Sequence, residues 1–335
     1  IDKKVYIPDI DRFFSYLEKN NLLEYYTNFM LSSKQNLYQW CDEQDIKKDD
    51  YDQFIAYSFD AGDAITPEKP LMEIWQFIKD SKGLPYIPGS SLKGALRTAI
   101  LAKLAASSKS KERHFNNIKD AFYKRSFRRE VNNSANKMEQ EYLHLLDYKT
   151  RQNNAVNSIM KAVSISDSEP IALEKLILCA KIDISRSGKE NRLNLTRECI
   201  KPGTEIRFKL TLDHTLLKGS CIDLAFIKSA IVEFSNNYSN YVSKFNVDAD
   251  YVGTKESGKP IIYIGGGVGY KSKTVVSFLT SEKNSLEFTS NLLHKMFPKH
   301  YHDKDVRAGV SPHMLKYTLW NGNLMPFGKC SIEIY

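Results

Sequence analysis

Cysteine is scarce and scattered: five in 335 residues, at positions 41, 179, 199, 221 and 330, with no Cys-x-x-Cys pair. That excludes a zinc ribbon or a disulfide framework and fits reduced thiols in a cytoplasm. No apolar run approaches the length that crosses a bilayer, so no membrane partner is expected. A secretory leader is lacking too, and Ile1 in place of Met reads as a start from which the true N-terminus is missing. Glycine and proline are few, 16 and 11, so the places where they cluster carry information. The chain also lacks a Gly-x-Gly-x-x-Gly dinucleotide pattern and the Lys/Arg-Gly-Phe stacking motif of ordinary RNA-recognition domains.

A hydrophobic fraction of 42% and a charged fraction of 26% describe a soluble globular chain. The formal charge is +8. Ser107 to Val156 alone holds 11 Lys/Arg against 6 Asp/Glu, a surplus that favours polyanions through counterion release.

The hydropathy pattern alternates between two periods. Lys4–Ile7 reads as a strand, followed by a helix capped by Asp9 or Asp11 with Ile10, Phe13, Phe14 and Leu17 on one face. A second helix follows over Leu22–Met30, and residues 32–75 show weak periodicity. Leu84–Pro88 is extended and leads into a helix whose buried face is Leu92, Ala95, Leu96, Ala99 and Ile100. About 107–160 is a basic helical insertion or auxiliary layer. Val163–Asp167 and Ala180–Ile184 alternate as strands do, Ser185–Asn194 reads as a flexible loop, and Glu205–Leu212 is the cleanest strand. A long helix through Leu224, Ile227, Ile231, Phe234, Tyr238 and Tyr241 follows, then a strand at Ile261–Ile264, a helix near Leu286–Phe297 and a closing strand carrying Cys330, Ile332 and Ile334. The order suits an α+β sandwich with helices on one face of an antiparallel sheet.

Two segments carry chemistry. In Ile87-Pro88-Gly89-Ser90-Ser91-Leu92-Lys93-Gly94-Ala95-Leu96-Arg97, a Pro-Gly turn aims the chain into a helix. Ser90 and Ser91 can cap it, leaving first-turn N–H groups to face an anion. Lys93 and Arg97, four apart, project from one side, and Gly94 would clear space for a close neighbour. An ordinary capped helix with two surface cations explains the same residues. The second segment is Gly265-Gly266-Gly267-Val268-Gly269-Tyr270-Lys271-Ser272-Lys273. Its backbone can curl around a phosphate, with Lys271 and Lys273 supplying charge. A nucleotide-binding P-loop fails at Tyr270, where glycine is required, and a flexible hairpin turn is the plainer alternative.

Together the two segments resemble the hallmark helix motif and the C-terminal glycine-rich signature of the RAMP superfamily (repeat-associated mysterious proteins) of CRISPR effectors. Leu195-Thr196-Arg197-Glu198-Cys199-Ile200 with the strand after it is similar to one subgroup, the subunit capping the guide 3′ end in the type III-A Csm complex. The resemblance spans most of the chain from Lys4, the basic insertion least. It implies tandem modified ferredoxin-like (RRM-like) domains, 1–200 with the insertion and 201–335 with the glycine-rich loop 265–273. It implies a CRISPR RNA partner held by its backbone, target RNA met only indirectly, and packing against the repeated backbone subunit, with the small helical subunit a second candidate. By position, Gly89, Ser90, Ser91, Lys93 and Arg97 would hold phosphates, and Gly265, Gly266, Gly267, Gly269, Lys271 and Lys273 would form the cradle. The family's N-terminal Pro-x-x-x-Gly turn is not found here.

No catalytic residue, cofactor or metal site is expected. Asp60 and Asp63 sit in a polar stretch typical of a solvated loop. His300-Tyr301-His302-Asp303 offers a His-x-His pair with no evident third ligand. The alternative function is a RAMP-type endoribonuclease processing precursor guide RNA, with His114 as the nearest acid–base group.

Overall fold

The computed structural model describes residues 4–32, 36–65, 73–146, 148, 151, 153–247 and 258–335. It is a mixed α+β fold around a seven-stranded sheet. The core of that sheet is a hairpin of two long strands, β5 (Leu176–Ser185) and β6 (Glu190–Ile200). Every even position of β5 from Leu176 to Ile184 is buried, as are Ile177 and Cys179, so the strand is covered on both faces over its first half.

β6 runs along one edge of β5. The other edge is divided. Ile177 of β5 bridges Asp60 of β2 (Ile55–Asp60) in parallel, whereas Ile182–Ser185 pair antiparallel with β9 (Met314–Trp320). The sheet therefore runs β1-β2-β5-β6-β3, with β1 at Lys4–Pro8 and β3 at Ile74–Trp75, and continues from β5 through β9 to β10 (Asn323–Pro326). Strands from both ends of the chain share one hairpin. The β2–β5 and β3–β6 contacts are parallel, so the expected antiparallel sheet is mixed. Two small ladders complete the strands: β4 (Val163–Ile165) with β7 (Leu210–Leu212), and β8 (Ile261–Tyr263) with β11 (Lys329–Ser331).

Three sequence expectations change. The Ser185–Asn194 loop is a tight reversal at Ser185–Lys189, because β6 already starts at Glu190 and Ser185 N–H donates to Lys189 O at 2.9 Å. The strand expected over Glu205–Leu212 keeps its alternating burial, but the ladder covers only Leu210–Leu212, with Lys209 bonded to Ser166 beyond its end; periodicity records which side is covered, not whether a neighbouring strand is present. Helix α1 (Ile10–Lys19), N-capped by Asp9, buries Phe13, Tyr16 and Leu17, while Ile10 and Phe14 are 58% and 44% exposed.

The helices make the main core. α4 (Gly89–Ser107) packs through Leu92, Leu96 and Ile100 against Ile227 and Ile231 of α8 (Leu224–Val242). The basic segment supplies α5 (Lys111–Phe122) and α6 (Phe127–Leu143). Their Phe115, Ile118, Phe122, Met138 and Leu143 join the same buried cluster. Its apolar side is thus core and its cations are the outer face, the usual division of an amphipathic helix. The other α-helices among the described residues are α2 (Leu23–Leu31), α3 (Leu37–Glu43), α7 (His214–Leu217), α9 (Val276–Leu279), α10 (Glu282–Met296) and α11 (Asp305–Ala308).

Candidate nucleic-acid interface

The glycine-rich segment leaves β8 and curls back before a 3₁₀ turn at Lys271–Lys273. Gly265, Gly267 and Gly269 have φ of +99°, +86° and +98°, a region that residues with a Cβ enter only under strain. The turn is built on a fixed base: Val268 is buried, and Ile264 N–H donates to Gly328 O at 2.9 Å. Lys273 Nζ donates to Gly265 O at 2.9 Å, closing the loop on itself. Ser272 Oγ donates to Gly269 O at 3.0 Å. Of the two lysines expected to supply charge, Lys273 is thus a latch. Lys271 lies 5.9 Å from the Tyr241 ring centroid, and burial, with help from Lys244, pushes its ammonium down to about 8.

Sequence reading missed the cations that meet this loop from the sheet. Arg197 of β6 lays its guanidinium over the Trp75 ring at 4.2 Å, and its Nη1 would be 2.9 Å from a Cβ on Gly266. Gly266 is therefore the residue that lets the loop close on the guanidinium. Arg197 has no ion pair among the described residues, and its buried Nε has no hydrogen-bond partner. Lys316 of β9 lies with its Cγ 3.5 Å from the Cβ position of Gly269 and its Nζ 2.7 Å from Asp183. Lys181 stands where the β5–β6 ladder is irregular: Ala180 pairs with Thr196 but Ile182 with Arg192, so Lys181 faces Leu193, Asn194 and Leu195. Burial lowers the Lys181 pKa, and the nearby charges of Lys316 and Arg197 add to the effect.

A loop rich in left-handed glycines, backed by clustered cations of which one is an unpaired guanidinium fork, suits a phosphodiester. Trp75, 47% exposed beside it, offers a flat face to a base. The one local signal for this was the Thr196-Arg197-Glu198 string. Its neighbour Glu198 is buried and structural, receiving Lys79 Nζ at 2.6 Å, Phe77 N–H at 2.8 Å and Tyr57 O–H at 2.5 Å.

The helix motif is arranged differently from its sequence reading. Pro88, not a serine, is the N-cap, and neither Ser90 nor Ser91 makes a capping bond. The Gly89 N–H is taken by Asp167 Oδ1 at 2.8 Å, so a carboxylate of the chain itself already sits at that end. Gly89 is required by close approach: a Cβ there would be 2.3 Å from the carbonyl oxygens of Ile165 and Ser166. Gly94 instead faces open space. Arg97 is ion-paired with Glu139 of α6. Lys93 has no ion pair among the described residues, and burial lowers its pKa. No hydrogen bond or ion pair among the described residues joins this helix start to the glycine-rich loop.

The candidate catalytic groups have structural partners. Asp60 Oδ1 accepts from Gly62 N–H at 2.8 Å, and Asp63 Oδ2 from Gly322 N–H at 3.0 Å. His114 is 4% exposed between α5 and α6, with Nε2 3.1 Å from Glu141 Oε2 and its ring edge-on to Tyr142. His302 stacks on the His300 ring, with centroids 6.3 Å apart, but the groups its donor nitrogen meets are Asp305 and His313, not Asp303.

Comparison with known proteins agrees with this architecture. The RAMP superfamily model matches residues 62–296, and the chain belongs to that superfamily. Among curated proteins it is similar to "CRISPR system Cms protein Csm5" of Mycobacterium tuberculosis (strain CDC 1551 / Oshkosh), at 31% identity over 79% of this chain and 67% of the relative. The protein of that name from Streptococcus thermophilus is 27% identical over 82% of this chain and 72% of the relative. Among solved structures, the fold matches a chain of a cryo-EM Csm–crRNA–target RNA ternary complex of a type III-A CRISPR-Cas system. That match has a TM-score of 0.69 at 18% identity and covers 99% of this chain and 92% of the other. The crystal structure of T. onnurineus Csm5 matches with a TM-score of 0.62 at 18% identity, over 99% and 93% of the two chains.

Proposed function

We propose that this chain is a non-catalytic RNA-binding subunit of a type III-A CRISPR effector complex, active in antiviral defence, that caps the 3′ end of the guide. The observation that carries the reading is the Arg197 guanidinium, without an ion pair among the described residues, held between Trp75 and Gly266 at a loop of three left-handed glycines, a backbone that suits a ribose-phosphate strand. The names of the curated relatives and the match to a subunit of an RNA-bound Csm complex support it. Binding is through the backbone, with weak sequence preference. The division into tandem ferredoxin-like domains, 1–200 and 201–335, belongs to the same reading, as do contacts with the repeated backbone subunit and a cytoplasmic setting. Among the described residues no helix is long and apolar enough to cross a membrane.

The endoribonuclease alternative needs an acid–base group beside the scissile phosphate, and the burial of His114 against Tyr142 gives it no support. The test is co-expression with the other complex subunits and a guide locus, followed by sizing of the RNA 3′ ends. Wild-type chain is expected to co-purify with the complex and protect a defined 3′ boundary, and Arg197→Ala to blur that boundary. Metal-independent cleavage of repeat RNA by the purified chain, abolished in His114→Ala, would replace this reading with the enzymatic one.

A further inference from the structure

We propose that His302, Asp305 and His313 form a binding site for one divalent transition metal of the zinc class, unrelated to the RNA-facing loop. Their donor atoms lie within 4.8 Å of one another. His302 Nδ1 is 2.9 Å from Asp305 Oδ2, and His313 Nδ1 is 2.5 Å from Asp305 Oδ1. Two imidazoles and a carboxylate with one position left open make a donor set that suits zinc and its neighbours. Metal–ligand bonds of about 2.0–2.1 Å in a tetrahedral arrangement separate the donors by roughly 3.3 Å. Each ring would therefore move off the Asp305 carboxylate by less than about 1 Å to reach that spacing, from donor atoms that already lie within 4.8 Å of one another. Coordination at Nδ1 requires each neutral ring to carry its proton on Nε2, a change of tautomer without net loss of a proton.

Three further observations point the same way. The Asp305 side chain is 1% exposed, and among the described residues no Lys or Arg pairs with it. Its charge is met by hydrogen bonds from the two rings and from Ser311, and a metal at the same place would compensate a buried carboxylate more strongly. The ligands are also held from behind: Ser311 Oγ donates to Asp305 Oδ2 at 2.6 Å, and Ser290 Oγ donates to the His302 carbonyl at 2.6 Å. Such outer partners orient metal ligands. Finally, the site has an entrance. His313, 23% exposed, lines a cleft of about 520 Å³ with Ser185, Arg186, Ser187 and Asn246, so this ligand is reached from solvent.

The fold explains why these residues meet. Asp305 opens α11, Gly309 ends it with φ +73°, and the chain turns through Ser311 to deliver His313 at the start of β9. A metal here would clip the end of the α10–α11 segment to the central sheet.

The test is titration of zinc chloride into the full chain, first stripped with a chelator, by calorimetry and by competition with a chromophoric chelator. One equivalent is expected to bind. His302→Gln and His313→Gln should each weaken binding at least tenfold, and Ser311→Ala by about tenfold as an outer-partner loss. His294→Gln, whose ring faces Asp303 at 3.5 Å outside the triad, should bind as wild type. Cobalt in place of zinc should give visible absorption that His313→Gln abolishes. If His302→Gln fails to fold, His313→Gln decides, because its side chain is 23% exposed at the cleft. Substoichiometric binding, or wild-type affinity in the folded His313→Gln chain, would overturn the site and leave Asp305 as a hydrogen-bond anchor for two rings.

Discussion

Arg197 holds its guanidinium carbon 4.2 Å from the Trp75 ring centroid, with Nη1 2.9 Å from where a Cβ on Gly266 would stand. The stack fixes the guanidinium without consuming its charge. Arg197→Ala should therefore weaken binding of unrelated single-stranded RNAs alike and reduce the log–log salt slope by about 0.7. Arg197→Lys should not restore affinity, since an ammonium lacks the planar fork and the stack. Fluorescence anisotropy over a salt series decides; an unchanged slope in Arg197→Ala would mean the guanidinium only braces the loop.

Gly267→Val tests the loop itself. A β-branched residue at φ +86° costs about 1–2 kcal/mol, while the Cβ position has room, 3.9 Å from Phe327. A modest fall in Tm with a larger loss of RNA retention is expected. A collapse in stability would make the loop structural instead.

Gly89→Ala should behave in the opposite way. With carbonyl oxygens 2.3 Å from the new methyl, α4 must shift away from β4, and overpacking of this kind costs about 1–3 kcal/mol. Thermal unfolding should show the loss. RNA affinity of the remaining folded protein should fall no further than it does in Lys93→Ala, the cation that α4 carries with it.

Lys271 links pH to both stability and binding. Its pKa is down to about 8 from 10.5, so the unfolded chain binds the extra proton more readily between those values. The penalty on the fold is full below pH 8 and fades as pH rises toward 10.5. Lys271→Met should accordingly raise Tm at pH 7, with the gain shrinking at higher pH. In wild type, RNA affinity should fall between pH 7 and 9 as the ammonium is lost, and that pH dependence should be absent in Lys271→Met. Equal Tm values for the two proteins at pH 7 would contradict a desolvated ammonium at this half-buried position.

In the helix motif the two cations should separate. Lys93→Ala is expected to lower the RNA salt slope, because no acidic partner neutralises Lys93 among the described residues. Arg97→Ala should lower it less, its charge being shared with Glu139, and should change stability by at most about 1 kcal/mol, as partly exposed pairs do. Equal slopes for both variants would contradict the assignment of Arg97 to the Glu139 pair.

Local features were legible in the sequence wherever the cause lay within a few residues. The α4 face through Leu92, Leu96 and Ile100 and the α8 face through Ile227 and Ile231 follow from helical spacing, and of the two cap candidates Asp9 and Asp11 it is Asp9 that caps α1. Expectations went astray where a distant partner decides. Phe14 is exposed although it shares the face of Phe13 by spacing, and Glu205–Phe208 lies outside the β4–β7 ladder, whose pairing is extended only by the Lys209–Ser166 bonds. Gly89 was read as a turn former, yet its necessity comes from the Ile165 and Ser166 carbonyls.

The sequence by itself determined the turns and the superfamily: glycines at 265, 267 and 269 permit a backbone that few other residues could follow, whatever surrounds it. Only the tertiary structure decided what that backbone faces. Arg197 reaches Gly266 and Lys316 reaches Gly269 because β5 accepts β6 on one edge and β9 on the other. Likewise, Asp305 meets His302 and His313 only once the chain has turned into β9. Backbone conformation is written in adjacent side chains, whereas the meeting of distant charges depends on strand register and burial summed over the whole fold.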